Sequence, residues 1–114
     1  DISEKHQTVI LDCITLLVNN LMFTDGIDID NASEEEINEL EAYIQDQIKK
    51  LMEEVKKTDL YFVMVTNEIG LGVVPGYKLG RVYCDFVGRI NQMLGKLSDE
   101  VYFVVCGIPT KIKG

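Results

Sequence analysis

The stretch Leu60–Thr66, LYFVMVT, is short, almost continuously apolar and rich in β-branched and aromatic side chains. A strand with helices packed on both faces needs this pattern, because neither of its faces meets water. The stretch therefore predicts a buried strand of a parallel sheet. Since purely parallel sheets occur in α/β proteins, it also decides the predicted fold class.

The residues around this strand predict further strands and helices in alternation. Two more strand-like stretches are Gln7–Asp12 (QTVILD) and Val101–Cys106 (VYFVVC), and the second is expected to be buried. The predicted helices are Thr15–Phe23, Glu34–Lys57 and Leu79–Leu97, and a short edge strand is expected at Lys111–Lys113. This order predicts a single α/β domain, residues 1–114, with a mostly parallel sheet flanked by helices.

The longest predicted helix carries the clearest local signals. Ser33 and Glu36 have the S-x-x-E spacing of a capping box, in which each side chain binds a free backbone N–H of the other residue. Apolar residues then recur at helical spacing, so one face of the helix is apolar. In the last helix, Gly80, Gly88 and Gly95 lower the helix propensity, and close packing against another backbone would be one reason to keep them.

Composition excludes several classes of partner. The chain has 114 residues and a formal net charge of −8, which disfavours nonspecific binding to nucleic acid or anionic lipid. No apolar run reaches the roughly 18 residues that a membrane-spanning helix requires. Cys13, Cys84 and Cys106 lack metal-binding spacing and lie among apolar neighbours. We therefore expect buried free thiols and a cytoplasmic protein.

Asp12, Asn67 and Glu68 are the candidate site residues. They follow strand-like stretches, and ligands of open α/β sheets bind beyond the carboxyl ends of the strands. A carboxylate at Asp12 could hold Mg²⁺ directly or through water, whereas a helix-capping or turn Asp is the alternative. Asn67 and Glu68 suit a metal- or hydroxyl-binding rim, and a polar loop that caps the next element is an equal alternative.

Other polar residues carry weaker signals. The glycine-rich segment Gly70–Gly76 is expected to be a turn or lid, because no Lys-Ser or Lys-Thr follows a glycine as the Walker pattern requires. Arg81 and Arg89 could reach phosphate or a neighbouring subunit, but solvated helical arginines are the commoner case. His6 is the only histidine and lies in a polar stretch, so we expect it at the surface and not as a catalytic group.

Three stretches together resemble one enzyme family. The specific signals are a VTNE-x-G-x-G-x-VP loop, a D-x-x-G-R-x-N-Q helix and a closing V-x-G-I-x-x-K-I-K. They lie in Leu11–Phe23, Val65–Pro75 and Arg81–Lys113. In order and spacing these stretches are similar to the C-terminal portion of the adenosylcobinamide kinase / adenosylcobinamide-phosphate guanylyltransferase family, and the resemblance covers nearly the whole chain.

The resemblance implies a P-loop nucleotide-binding fold of the RecA-like type, incomplete at the N-terminus, in a cytoplasmic homotrimer. It implies two reactions of cobalamin biosynthesis, with ATP or GTP and Mg²⁺. A triphosphate phosphorylates adenosylcobinamide; GTP then guanylylates an enzyme histidine, and the GMP passes to adenosylcobinamide phosphate. Asp12 matches the acid that contacts the nucleotide and its Mg²⁺, where the family often has Glu. Asn67 and Glu68 match an NE pair that we assign to the substrate or metal rim.

The chain departs from the family pattern at its beginning. The family's G-x-x-x-x-G-K-S loop and nucleophilic histidine precede the first predicted strand, and neither occurs in these residues, because His6 does not match the nucleophile's context. The catalytic residues are therefore unassigned, and we expect the chain alone to be inactive. The open sheet edge predicts association or marginal stability. The alternative is a non-catalytic binding or assembly module; a phospho-receiver domain is disfavoured, because its acidic pair and late lysine are missing.

Overall fold

The computed structural model describes residues 7–24, 26–69 and 76–114. In chain order the elements are β1 (Thr8–Asp12), α1 (Ile14–Met22), α2 (Glu34–Lys56), β2 (Tyr61–Val65), α3 (Lys78–Leu97), β3 (Val101–Val105) and β4 (Ile108–Lys113). Each predicted helix and strand is present. The largest difference is in β4, which begins at Ile108 and not at Lys111.

Two small sheets are formed by the described residues. Strands β1 and β2 pair in parallel, from Thr8 opposite Tyr61 to Asp12 opposite Val65. The mixed α/β fold with a parallel sheet and helices is therefore confirmed. Strand β3 pairs antiparallel with β4 and not with the parallel sheet, in the part of the chain that the structure describes.

A tight turn explains the antiparallel pairing of β3. Cys106 and Gly107 form the connection and have φ angles of 52° and 75°. Positive φ at both central residues is the geometry of a type I′ turn, whose twist matches that of paired antiparallel strands. A parallel neighbour would need a long crossover connection, which so short a turn does not provide.

Helix α2 begins as its sequence predicts. The Ser33 Oγ accepts a hydrogen bond from the backbone N–H of Glu36 at 3.1 Å, and the Ser33 N–H donates to Glu36 Oε1 at 3.2 Å. The two bonds complete the capping box, which satisfies backbone donors that the first helical turn leaves free.

The hydrophobic core lies between the three helices. Side chains with at most 1% exposure come from α1, α2 and α3, and Leu11 of β1 and Met64 of β2 pack against them. They are Ile14, Val18, Met22, Ile44, Ile48, Phe86, Val87 and Ile90. The apolar helical faces therefore bury one another and one side of the parallel strands.

The predictions of burial were less accurate than those of secondary structure. Strand β3 is not a buried strand, because Val104 is 60% and Val105 53% exposed. Strand β2 is only partly covered, since Tyr61 is 64% exposed. Cys106 lies in the exposed turn, whereas Cys13 and Cys84 are half-buried, so the prediction of three buried cysteines was wrong.

The glycines of α3 do not share one packing role. A Cβ atom added at Gly88 or Gly95 would meet nothing within 4 Å beyond the nearby backbone of α3 itself, so neither glycine packs closely against another backbone of this chain. Gly80 is buried. Among the described residues, no helix combines the length and the apolar character needed to cross a bilayer.

Candidate functional site

The parallel pairing places the candidate residues at one edge of the sheet. Asp12 is the last residue of β1 and lies opposite Val65, the last residue of β2. Asn67 and Glu68 follow Val65 after one intervening residue, Thr66. The prediction that Asp12, Asn67 and Glu68 lie at the same edge of the sheet is therefore confirmed. We call Asp12, Asn67 and Glu68 the site rim; all three are exposed.

A buried threonine connects the two strand ends beneath the site rim. Thr15, in the first turn of α1, is 5% exposed. Its Oγ1 lies 3.0 Å from Cys13 Sγ and accepts a hydrogen bond of 3.3 Å from Asn67 Nδ2. Its backbone carbonyl accepts a bond of 3.0 Å from the Tyr83 hydroxyl of α3. The end of β1, the loop after β2 and α3 therefore meet at one residue.

Asn91 of α3 binds the same loop from the other side. The Thr66 hydroxyl donates to Asn91 Oδ1 at 2.7 Å, and Asn91 Nδ2 donates to the backbone carbonyl of Asn67 at 3.0 Å. Both polar atoms of the Asn91 carboxamide are thus used, one as acceptor and one as donor. The loop after β2 is held between α1 and α3.

Tyr83, which donates to Thr15, has a shifted pKa. Burial raises the pKa of the Tyr83 phenol above its usual value, and the nearby Cys13 and Cys84 thiols raise it further. Desolvation disfavours the charged phenolate, so the phenol keeps its proton. A protonated phenol is the form that can donate to the Thr15 carbonyl, so Tyr83 serves the site as a neutral hydrogen-bond donor.

Asp12 has the donor chemistry that Mg²⁺ prefers. In residues 7–24, 26–69 and 76–114, no cluster of three or more His, Cys, Asp and Glu side chains could enclose a metal ion. Mg²⁺ usually keeps several waters and takes one or two protein carboxylates together with phosphate oxygens. The exposed carboxylate of Asp12 at the end of β1 can be the protein ligand in such an arrangement, with water and phosphate oxygens as the other ligands.

The two arginines of α3 bind groups of the chain itself. Arg89 forms two hydrogen bonds of 2.7 and 2.6 Å with the Glu41 carboxylate of α2, and this ion pair raises the pKa of Arg89. Arg81 donates to the Gly76 carbonyl at 2.9 Å. Arg89 thus joins two helices. His6 and residues 70–75 lie outside the described residues.

A shallow depression on α2 is a poor alternative site. It is open to solvent and has a volume of about 700 Å³. Its lining residues are Ser33, Glu34, Glu35, Asn38, Glu39 and Ala42. Three carboxylates in one depression would repel the phosphates of a nucleotide, so the site rim remains the better candidate.

Thr15, Thr66 and Tyr83 were not predicted as site residues. Thr15 had a local signal, because it is a polar residue in an apolar segment directly after a strand end. Thr66 was assigned to the end of the strand. Tyr83 had no signal, since its contact with Thr15 depends on how α3 packs against α1.

Together, these features define an α/β chain with a polar rim beyond the carboxyl ends of parallel strands, the usual place for a ligand in such folds. Residues 1–112 match the family model described as cobinamide kinase / cobinamide phosphate guanyltransferase. The chain belongs to this family.

Curated relatives support this assignment. The chain is 39% identical over 108 residues to the bifunctional adenosylcobalamin biosynthesis protein CobU of Escherichia coli K12, covering 95% of the chain and 59% of the relative. It is 40% identical over 105 residues to CobU of Salmonella typhimurium LT2, covering 92% and 58%. It is 30% identical over 112 residues to the bifunctional adenosylcobalamin biosynthesis protein CobP of Pseudomonas aeruginosa PAO1, covering 98% and 57%. The chain thus spans less than three fifths of each relative.

Proposed function

We propose that this chain is part of an enzyme of cobalamin biosynthesis that phosphorylates adenosylcobinamide and then transfers GMP from GTP to adenosylcobinamide phosphate. The observation that carries the proposal is the family match over residues 1–112. The site rim adds support, because a carboxylate and an amide beyond parallel strands suit nucleotide and hydroxyl recognition.

We further propose roles for the three residues of the site rim. Asp12 faces the nucleotide side and holds Mg²⁺, directly or through water; the metal, when bound, neutralises charge on the phosphate oxygens. Asn67 and Glu68 form the substrate or metal side. The hydrogen bond from Asn67 to Thr15 supports this assignment, because it orients the amide at the end of β1.

The proposed domain is a P-loop nucleotide-binding domain of the RecA-like type, of which residues 1–114 form the C-terminal part. These residues contain no G-x-x-x-x-G-K-[ST] sequence. A backbone cradle for triphosphate oxygens therefore has to come from other residues. A polypeptide of these 114 residues alone is expected to show no turnover of GTP and adenosylcobinamide above background.

We also propose a cytoplasmic homo-oligomer, a trimer by resemblance. The free thiols of Cys13, Cys84 and Cys106 support a reducing compartment. The exposed apolar residues of β3 and β4 support association, since open strands with apolar side chains tend to pair. Sedimentation equilibrium of this chain at tens of micromolar should show a trimer. A monomer would contradict this part of the proposal.

The test is a chimera of the E. coli relative in which the segment matching this chain is replaced by the chain. We expect the chimera to phosphorylate adenosylcobinamide with Mg²⁺ and GTP. In the chimera, Asp12→Asn should lower kcat about 10- to 100-fold, because a neutral amide stabilises a metal or its waters poorly. Asp59→Asn is the matched control, since Asp59 is an exposed acid just before β2, at the opposite end of the strand pair.

The outcomes separate the proposal from its alternative. An active chimera that loses activity with Asp12→Asn and not with Asp59→Asn supports both the function and the assignment of Asp12. A folded but inactive chimera would contradict the catalytic proposal and favour a binding or assembly module. An active chimera that tolerates Asp12→Asn would contradict the role of Asp12 alone.

A further inference from the structure

The loop after β2 is fastened by one side chain that the proposed reactions do not use. The Asn91 carboxamide accepts from the Thr66 hydroxyl at 2.7 Å and donates to the Asn67 carbonyl at 3.0 Å. The two bonds reach consecutive residues of the loop. They therefore fix the direction in which the backbone leaves β2 and enters the site rim.

The helix that carries Asn91 is itself firmly placed. Ile90 is fully buried, and Leu94 is 5% exposed, so α3 packs into the core on both sides of Asn91 along the chain. The Asn67 side chain is held from the opposite side by Thr15. Since Glu68 follows Asn67 directly, its backbone position is set by the same contacts.

We propose that Asn91 is a positioning residue of the site rim. Its carboxamide orients the loop Thr66–Glu68 so that the Asn67 amide and the Glu68 carboxylate lie at the sheet edge that holds Asp12. This inference rests on the proposed function, because the site rim is the group of residues that it positions. Asn91 touches no reacting atom and acts through the loop.

The chemistry of the two bonds makes Asn91 hard to replace. An aspartate keeps an oxygen for the Thr66 hydroxyl but presents a second oxygen to the Asn67 carbonyl, where two acceptors repel. A hydrocarbon side chain at position 66 removes the bond from the Thr66 hydroxyl to Asn91 and leaves the bond from Asn91 to the Asn67 carbonyl. Asn91→Asp and Thr66→Val therefore break the two bonds separately, with little change in side-chain size.

The first experiment measures kinetics in the chimera described above. We expect Asn91→Asp to lower kcat for adenosylcobinamide phosphorylation about 10- to 100-fold, since small displacements of positioning groups have effects of this size. Thr66→Val should have a smaller effect in the same direction. Gln92→Glu makes the same amide-to-carboxylate change at the next, exposed position of α3 and should leave kcat unchanged.

A second readout distinguishes positioning from simple stability. The assay is run well below the Tm of each variant, where a residue that only stabilises the fold leaves kcat normal. We expect kcat to stay low for Asn91→Asp under these conditions. Recovery of full kcat at low temperature, or an equal loss with Gln92→Glu, would overturn the proposal.

Nuclear magnetic resonance of the 114-residue chain tests the inference without any activity. Asn91→Asp should shift the backbone amides of Asn67 and Glu68 more than Gln92→Glu does. Unchanged amides would overturn the positioning role. An inactive chimera together with shifted amides would instead refute the proposed function and leave the positioning role intact.

Discussion

Strands β2 and β3 have nearly the same sequence character and different surroundings. Strand β2 reads YFVMV and β3 reads VYFVV. In β2 the three central residues are half-buried, and Met64 packs against the core. In β3 only Val101 and Phe103 are half-buried, and Tyr102, Val104 and Val105 are at least 50% exposed.

The difference comes from what each strand pairs with. Strand β2 lies beside β1, and Met64 packs against the core that the helices form, so β2 is partly covered. Strand β3 turns back onto β4 through Cys106 and Gly107, and Lys113 ties this hairpin to the end of α3 by donating to the carbonyls of Gly95 and Lys96 at 2.8 and 3.0 Å. Apolar composition therefore predicts a strand, but its burial depends on the neighbours that the rest of the chain supplies.

Replacing one phenylalanine in each region should give the largest difference. Phe86 in α3 is 1% exposed, whereas Phe103 in β3 is half-buried. Phe86→Ala should lower the free energy of unfolding by about 3–5 kcal/mol through lost burial and a cavity. Phe103→Ala should lower it by roughly 1 kcal/mol. Urea unfolding in dilute solution, where association through the hairpin is minimal, measures both values; equal losses would contradict the difference in burial between the two side chains.

The ion pairs of the two regions should also differ. Arg89 binds Glu41 through two bonds, and the Glu41 side chain is 14% exposed. Lys111 and Glu100 of the hairpin region lie 3.4 Å apart with side chains 42% and 43% exposed. A double-mutant cycle should give a coupling energy of about 1 kcal/mol for Arg89 and Glu41, because bidentate, partly buried ion pairs stabilise the fold more than ordinary surface pairs do.

The Lys111–Glu100 cycle serves as the control for this prediction. It should give a coupling energy close to zero, since long, solvated pairs contribute little. Repeating both cycles in about 1 M salt should weaken both couplings, since the Arg89 and Lys111 side chains are 50% and 42% exposed and salt screens exposed charges. A larger coupling for Lys111–Glu100 than for Arg89–Glu41 would reverse the comparison.

Two glycine substitutions should change the free energy of unfolding in opposite directions. Gly88 lies within α3 with open space around its Cβ position, and Gly107 lies in the hairpin turn with φ at 75°. Gly88→Ala should raise the free energy of unfolding by about 0.5–1 kcal/mol, because alanine favours the helix. Gly107→Ala should lower it by roughly 1 kcal/mol, since a Cβ disfavours the left-handed region. Thermal melts of both variants measure these changes. Shifts of Tm in the same direction would contradict the turn geometry.

The smallest expected effect concerns Tyr83 and depends on pH. Tyr83→Phe removes the bond to the Thr15 carbonyl and should cost roughly 0.5 kcal/mol at neutral pH. Burial raises the folded-state pKa of Tyr83 above its unfolded value. The contribution of its proton to stability is therefore complete below the unfolded pKa of about 10 and is lost as pH rises through the folded pKa.

The measurement is the free energy of unfolding of both proteins between pH 8 and pH 11.5. The advantage of the unsubstituted chain over Tyr83→Phe should shrink above about pH 10. Tyr61→Phe is the control for the loss of a tyrosine hydroxyl, because Tyr61 is 64% exposed on β2. An advantage that grows above pH 10 would show that burial does not hold the Tyr83 proton.

Much of the fold could be predicted because its signals are local. The Ser33–Glu36 capping box and the apolar spacing of α2 determine that helix without reference to the rest of the chain. The common edge of Asp12 and Asn67 followed from one assumption, that β1 and β2 are parallel. The burial of β3 and the packing around Gly88 and Gly95 could not be predicted, because both depend on which elements become neighbours.

The contacts around the site rim could not be predicted from the sequence for the same reason. Thr15 and Asn91 bind the loop after β2, and Tyr83 binds Thr15, across long stretches of sequence. No spacing rule connects such residues. The roles of Asp12, Asn67 and Glu68 remain predictions, and the chimera tests that of Asp12 directly.

The register of the parallel pair has a consequence for the order of events in folding. Thr8 pairs with Tyr61, so all of α1 and α2 lies in the loop that closes when β1 meets β2. Closing a long loop has an entropic cost before its contacts form, whereas the turn between β3 and β4 brings its partners together at once. The hairpin should thus gain protected amides early, and the site rim, which exists only after β1 and β2 pair, should assemble last. Pulse-labelled hydrogen exchange during refolding would reveal that sequence, and protection of β1 before β3 would contradict it.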